Sequence, residues 1–112
     1  MPPSSPNVLF IMTDQQRWDS VGANGNALIR TPHLDGIARD GVTFSNSFTN
    51  AIACVPSRAC IMSGQYAHAH GVINTSGQQG VWLRPGTPTM PGCFAASGYA
   101  AVGVGKMHFK PW

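Results

Sequence analysis

The stretch NVLFIMTD, at residues 7–14, is the feature that most constrains how this chain can fold. Its apolar run from Val8 to Met12 is uninterrupted and leads directly into Thr13 and Asp14. A continuous apolar run that ends in a polar residue is typical of a central parallel strand, which is buried on both faces of its sheet. The run therefore predicts a buried strand with Asp14 at its carboxyl end.

Predicted helices and strands alternate along the rest of the chain. Proline near the start and glycine near the end predict three helices, over residues 31–41, 56–64 and 89–98. Apolar patterning predicts two further strands. One covers residues 42–50, with Val42, Phe44 and Phe48 facing inward, and the other covers residues 100–109. Strands that alternate with helices indicate an α/β fold with a parallel or mixed sheet.

Polar residues that could bind a ligand or act in catalysis follow each predicted strand. Asp14 ends the first strand, Cys54 and Arg58 come after the second, and Lys106 and His108 end the third. Ligands of such sheets bind beyond the carboxyl ends of the strands, so we expect these side chains to converge on one edge. The basic groups suit an oxyanion, and the Asp14 carboxylate suits a hard cation with oxygen ligands.

Charge and cysteine content exclude several classes of protein. The net charge of +3 arises from seven basic and four acidic residues, and no run of Lys or Arg suggests a nucleic-acid or membrane partner. The apolar run near the start is too short for a signal-peptide core or a membrane helix, so we expect a cytoplasmic protein. Three cysteines without metal-type spacing argue against disulfides and a zinc site, and Cys60 and Cys93 are interpreted as core residues.

Several other polar residues receive structural interpretations. Arg17 and Asp19 are close enough in sequence to pair and brace the turn after Asp14. His68 and His70 are separated by one residue in a polar stretch, which is weak evidence for a metal site, and we interpret them as structural or substrate-facing.

Four segments resemble, in order, the motifs of the type I sulfatases. CVPSR at residues 54–58, with Ser63 and Gly64 after it, resembles the Cys-x-Pro-Ser-Arg signature of that family. GYAAVGVGKMHF, at residues 98–109, resembles the strand that ends in a Gly-Lys-x-His motif. The remaining two segments resemble the first strand with its metal-binding turn, at residues 7–26, and the first helix with the second strand, at residues 31–50.

The resemblance implies a role for each catalytic candidate. Cys54 would be oxidised after translation by a formylglycine-generating enzyme to formylglycine, whose hydrated aldehyde is the nucleophile and a metal ligand. Arg58 would hold the hydrated aldehyde and offset its charge. Lys106 would bind a sulfate oxygen, and His108 would accept the proton of the second hydroxyl when sulfate leaves.

The resemblance also implies a divalent cation, calcium in our prediction, with Mg²⁺ as the alternative. Asp14, Gln15 and the modified Cys54 would be its ligands in this chain. Gln15 departs from the commonest family pattern, which has two adjacent acids at this place. Its amide oxygen can still coordinate a metal, so Gln15 stays in the predicted ligand set after Asp14.

The resemblance further implies an alkaline phosphatase-like fold, a mixed and mostly parallel sheet flanked by helices. Residues 1–112 would be the N-terminal portion of a sulfatase catalytic domain, because the other metal ligands and the leaving-group residues of the family lie further along. We expect the whole protein to hydrolyse a small-molecule or carbohydrate sulfate ester and this portion alone to be inactive. Two alternatives stay open, namely a phosphonate monoester or phosphodiester hydrolase of the same superfamily and a non-catalytic truncated domain.

Overall fold

The computed structural model describes residues 5–75 and 82–108 of the chain. These residues divide into two compact units. One unit comprises Phe10–Phe48, and the other comprises the described residues before Phe10 and after Phe48. Phe109, the last residue of the predicted third strand, lies outside the described residues.

The Phe10–Phe48 unit consists of two short 3₁₀ helices, Trp18–Ser20 and Gly22–Asn24, and one α-helix, α1, at Pro32–Asp40. Helix α1 begins with proline and is followed by Gly41, as the sequence predicts. Its first turn is joined to the second 3₁₀ helix by the carboxylate of Asp35. Asp35 Oδ1 accepts hydrogen bonds from the Ala23 amide at 2.7 Å and from the Thr31 hydroxyl at 2.8 Å.

The other unit contains three α-helices, α2 at Cys54–Ser63, α3 at Ala67–His70 and α4 at Met90–Ala96. The sequence predicts α2 to begin at Pro56, but the helix begins at Cys54, because proline fits anywhere in the first turn. Gly64 caps the end of helix α2 with a left-handed backbone, at φ of 66°. Glycine adopts this conformation readily because it has no side chain. Helix α4 follows the predicted range, and the hydroxyl of Thr89 caps it by accepting from Gly92 N–H.

Helix α2 supplies most of the buried side chains of its unit. Its residues Val55, Ala59, Cys60 and Met62 are buried, and Val72 and Leu83 complete the apolar core, while His70 and Arg58 are buried polar residues. The helix that carries the Cys-x-Pro-Ser-Arg motif is therefore fixed by packing on its neighbours. No helix among the described residues is long and apolar enough to cross a membrane.

None of the described residues forms a strand, so the predicted sheet is not confirmed. The side chains expected on it are exposed: Leu9 is 83% exposed, Val42 81%, Phe44 79% and Val104 90%. The prediction that Val42, Phe44 and Phe48 face inward is wrong for this structure, in which Phe48 is exposed as well. Strands need a neighbouring backbone to receive their hydrogen bonds, and the described residues provide no such neighbour for these segments.

Candidate active site

Cys54 is the first residue of α2, and its side chain is half-buried. The residue before it, Ala53, has an extended backbone and accepts the first helical hydrogen bond, from Ser57 N–H at 3.0 Å. The Ser57 hydroxyl lies 3.2 Å from the hydroxyl of Thr49, which also donates to the carbonyl of Ala51 at 2.7 Å. These contacts fix the segment that precedes the helix. They therefore also fix the position of residue 54, the first residue of the helix.

Arg58 lies one helical turn after Cys54 and on the same side of α2. Its side chain is only 7% exposed, which is unusual for a cationic residue. The Nη1 group donates a hydrogen bond of 2.7 Å to the main-chain carbonyl of Lys106, 48 residues further along the chain. The structure thus brings the Cys-x-Pro-Ser-Arg motif against the Gly-Lys-x-His segment.

The side chains of Lys106 and His108 are both exposed, in a segment with an unusual backbone. Gly105 and His108 both have left-handed conformations, with φ of 89° and 70°. Such a backbone is common for glycine but uncommon for histidine. A residue held in this region stores a small strain, which is found most often at functional sites.

Asp14 and Gln15 belong to the Phe10–Phe48 unit, and both side chains are exposed. Gln15 has φ of 41°, so among the described non-glycine residues the left-handed ones are Gln15 and His108, both predicted site residues. The predicted pair of Arg17 and Asp19 is confirmed, with Nη2 and Oδ2 separated by 2.6 Å. The hydrogen bond from Arg17 lowers the pKa of the Asp19 carboxyl, which keeps that acid ionised beside the turn.

The donor set of the turn fits a hard cation in kind. Asp14 offers a carboxylate and Gln15 an amide oxygen, the ligand types that calcium and magnesium prefer. Within the described ranges no group of three or more His, Cys, Asp or Glu residues is close enough to hold a metal. The turn would supply part of the six to eight oxygen ligands that calcium normally takes, and the ligand set of Asp14, Gln15 and residue 54 stays a prediction.

Cys60, which follows the motif on α2, forms a buried pair with His70. The sequence predicts His70 only as a structural or substrate-facing residue. His70 is fully buried, and its Nε2 lies 3.2 Å from the Sγ of Cys60, two turns after Cys54 on α2. The other ring nitrogen, Nδ1, accepts from the amide of Val72 at 3.1 Å. A neutral imidazole carries one proton, so Nε2 bears it and donates to the sulfur.

The environment of this pair affects both groups. Burial, with the nearby charges of Arg84 and His68, lowers the pKa of His70, and burial raises the pKa of the Cys60 thiol. Both groups are therefore held neutral, as structural residues. The core interpretation of Cys60 is confirmed, whereas that of Cys93 is wrong, because Cys93 lies on the exposed side of the short helix α4.

Comparison with known proteins places this arrangement in a family. The family model described as Sulfatase matches residues 6–112 of the chain. The chain is 39% identical to an arylsulfatase of Clostridium perfringens over 95% of its own length and 21% of the relative's. It is 37% identical to the steryl-sulfatase of Mus musculus, over 95% of this chain and 18% of the relative.

A third relative, the N-acetylglucosamine-6-O-sulfatase of Bacteroides thetaiotaomicron, is 32% identical over 92% of this chain and 18% of its own length. The chain thus spans about a fifth of the length of the curated relatives it matches. No solved structure matches the chain significantly. The match of the family model to nearly every residue shows that the chain belongs to the sulfatase family.

Proposed function

We propose that the whole protein is a sulfuric ester hydrolase whose nucleophile is a formylglycine made from Cys54. The observation that carries the proposal is the hydrogen bond from buried Arg58 to the carbonyl of Lys106. It joins the helix that begins with Cys54 to the segment that carries Lys106 and His108. These are the side chains that a sulfate ester would need beside one nucleophile.

The chemistry follows from the two hydroxyls of a hydrated aldehyde. One hydroxyl oxygen attacks sulfur, the bond between sulfur and the ester oxygen breaks, and the alcohol leaves after taking up a proton. Lys106 offsets the charge on the sulfate oxygens during this transfer. His108 then removes the proton of the second hydroxyl, the aldehyde double bond reforms, and sulfate leaves with the electron pair of the broken carbon–oxygen bond.

The cofactors and partners of the proposal follow from the same residues. A divalent cation, for which we propose calcium with Mg²⁺ as the alternative, would be held by Asp14, Gln15 and the modified residue 54, and when bound it lowers the pKa of the attacking hydroxyl. A formylglycine-generating enzyme is the proposed maturation partner. The names of the relatives, which include an N-acetylglucosamine-6-O-sulfatase and an ulvan-active sulfatase, support a small-molecule or carbohydrate sulfate ester as substrate.

The substitution Cys54→Ser in the full-length protein tests the proposal. A serine offers one hydroxyl, so it can accept sulfate but has no second hydroxyl with which to expel it. We expect loss of turnover on an aryl sulfate, with at most one sulfate retained per protein molecule, measured as the mass of the intact protein. The matched control is Cys93→Ser, which changes an exposed cysteine and should leave turnover unchanged. Normal turnover by Cys54→Ser would contradict the proposal.

A further inference from the structure

We propose that Arg58 is a positioning residue, which fixes the backbone of the segment Gly105–His108 and thereby aims His108 for the release of sulfate. The inference rests on the proposed function and goes beyond it, because it gives Arg58 a task separate from holding the hydrated aldehyde. It also makes Gly105 part of the same device. Two independent observations carry it, namely a part-buried hydrogen bond from Arg58 and a left-handed backbone at Gly105 and His108.

The burial of Arg58 and its part-buried hydrogen bond to Lys106 make Arg58 a rigid support. The buried residues Val55, Ala59 and Met62 precede and follow Arg58 in α2 and fix the helix by packing. The guanidinium of Arg58 is therefore attached to a backbone that does not move. Its Nη1 reaches the Lys106 carbonyl at 2.7 Å, a short distance for a bond from a cation. This bond uses one of the five N–H donors of the guanidinium.

The left-handed backbone of Gly105 and His108 is the part of the segment that the hydrogen bond from Arg58 must keep in place. Gly105, with φ of 89°, precedes Lys106, and His108 has φ of 70°, so the anchored carbonyl lies between two left-handed residues. Histidine keeps such a conformation only where its surroundings fix it. Since the side-chain direction of His108 follows from this backbone, loss of the anchor at Lys106 should change the direction of its ring.

This arrangement predicts which chemical step suffers when the support is loosened. Removal of the proton from the second hydroxyl depends on the place of His108, whereas the first attack on sulfur does not. A misplacement of about 1 Å can lower a rate by about 10²-fold. A loosened segment should therefore slow the release of sulfate more than the attack, and sulfated protein should accumulate during turnover.

Two variants loosen the segment from opposite sides in the full-length protein. Arg58→Lys replaces the planar fork with a point charge that lacks its reach and geometry. Gly105→Ala leaves Arg58 and the Cys54–Arg58 motif untouched. A Cβ at Gly105 would meet no atom within 4 Å, so the substitution acts only through the strain of a left-handed alanine. Arg39→Lys, an exposed arginine of α1, is the matched control.

The measurements are the turnover number on an aryl sulfate, the share of protein molecules that carry sulfate in the steady state, and the share of residue 54 converted to formylglycine. Rates are expressed per converted molecule, since Arg58 lies within the motif that the maturing enzyme reads. We expect both variants to lower kcat by about 10²-fold and to accumulate sulfated protein. The double variant should be no more than about twofold slower than the slower single variant, because both act on one device.

Three results would overturn the inference. Slow turnover without sulfated protein would show that Arg58 acts on the attack itself, through the charge of the hydrated aldehyde. A double variant whose loss of kcat equals the product of the two single losses would show that Arg58 and Gly105 act independently. If Arg58→Lys fails to fold, Gly105→Ala alone tests the inference, and normal release of sulfate by that variant would overturn it. Failure of the proposed function is distinct from all of these, since the unsubstituted protein would then show no turnover.

Discussion

At the scale of single residues, the described core contains one fully buried titratable side chain, that of His70. Its two ring nitrogens are matched to the neutral form, since Nδ1 accepts from Val72 and Nε2 donates to Cys60. A second ring proton would face the Val72 amide donor and break that bond. Arg84 and His68, the charged and titratable neighbours, oppose protonation further, after burial as the main cause of the lowered pKa.

His70 should make the folded protein sensitive to acid. Because its pKa is lower in the folded state, the unfolded chain binds a proton below about pH 6.5 that the folded chain does not. The free energy of unfolding should therefore fall as the pH drops below that value, by up to about 1.4 kcal/mol per pH unit. Above about pH 7.5 this residue should contribute no pH dependence. Denaturant unfolding between pH 5 and pH 8, with acetate and phosphate buffers of about equal ionic strength, measures it.

The control for this prediction is the neighbouring histidine. His68 is exposed and stacks on Tyr66, with ring centroids 5.8 Å apart. It is the smallest of the three causes of the lowered His70 pKa, so His68→Gln should change the slope of stability against pH far less than His70→Gln. His70→Gln should lower stability at pH 8 and flatten the slope below pH 6.5. Equal slopes for His70→Gln and the unsubstituted protein would show that another group governs the acid sensitivity.

The sequence predicts a role for each site residue, which stays a prediction, and it does not predict the surroundings of these residues. The motifs alone give Cys54, Arg58, Lys106 and His108 as one site, and the structure brings Arg58 to the backbone of Lys106. The burial of His70 could not be predicted, because its alternation with His68 in a polar stretch gives no apolar period. The left-handed backbones at Gln15 and His108 could not be predicted either, since neither position is a glycine and a positive φ is uncommon for other residues.

At the scale of elements, local signals predict the helices and fail for the strands. Proline near the start and glycine beyond the end are sufficient to place α1, α2 and α4 within a few residues, because these signals act through neighbouring backbone. Helix α3 is missed, since Ala67–His70 is too short to show a period. The strand predictions depend on partners elsewhere, and their exposed apolar side chains show that the described residues do not supply them.

The junction between α1 and the second 3₁₀ helix gives a test at this scale. A Cβ at Gly22 would lie 2.8 Å from Oδ2 of Asp35, which is closer than atoms can approach. Asp35 cannot yield cheaply, because its Oδ1 holds the Ala23 amide and the Thr31 hydroxyl. We expect Gly22→Ala to lower the free energy of unfolding by about 1–3 kcal/mol, measured by denaturant unfolding.

The matched control is Gly36→Ala, within α1 of the same unit. There the added Cβ would lie 3.6 Å from a nitrogen of Arg39, an ordinary contact. Since alanine is the better helix former, the control should gain up to about 1 kcal/mol. A neutral Gly22→Ala beside a stabilising Gly36→Ala would mean that Asp35 moves freely and does not bind the two elements together.

At the scale of the whole molecule, the chain is a member of the sulfatase family that spans about a fifth of its relatives. That family implies an alkaline phosphatase-like α/β fold, although the mixed sheet itself stays a prediction for this chain. The exposed side chains of Leu9, Val42 and Val104 are the ones such a sheet would cover. The predicted metal ligands Asp14 and Gln15 belong to one compact unit and residue 54 belongs to the other, so their union in one site also stays a prediction.

The central claim is that Cys54 is converted to formylglycine, and peptide mass tests it most directly. Trypsin cleavage after Arg39 and Arg58 releases residues 40–58, in which Cys54 is the single cysteine. In a host with a formylglycine-generating enzyme, we expect a form of this peptide that has lost one sulfur and two hydrogens, has gained one oxygen, and resists alkylation. Cys60 and Cys93 in the same sample should alkylate as thiols. Complete alkylation of Cys54, in a host that converts another sulfatase expressed beside it, would contradict the account.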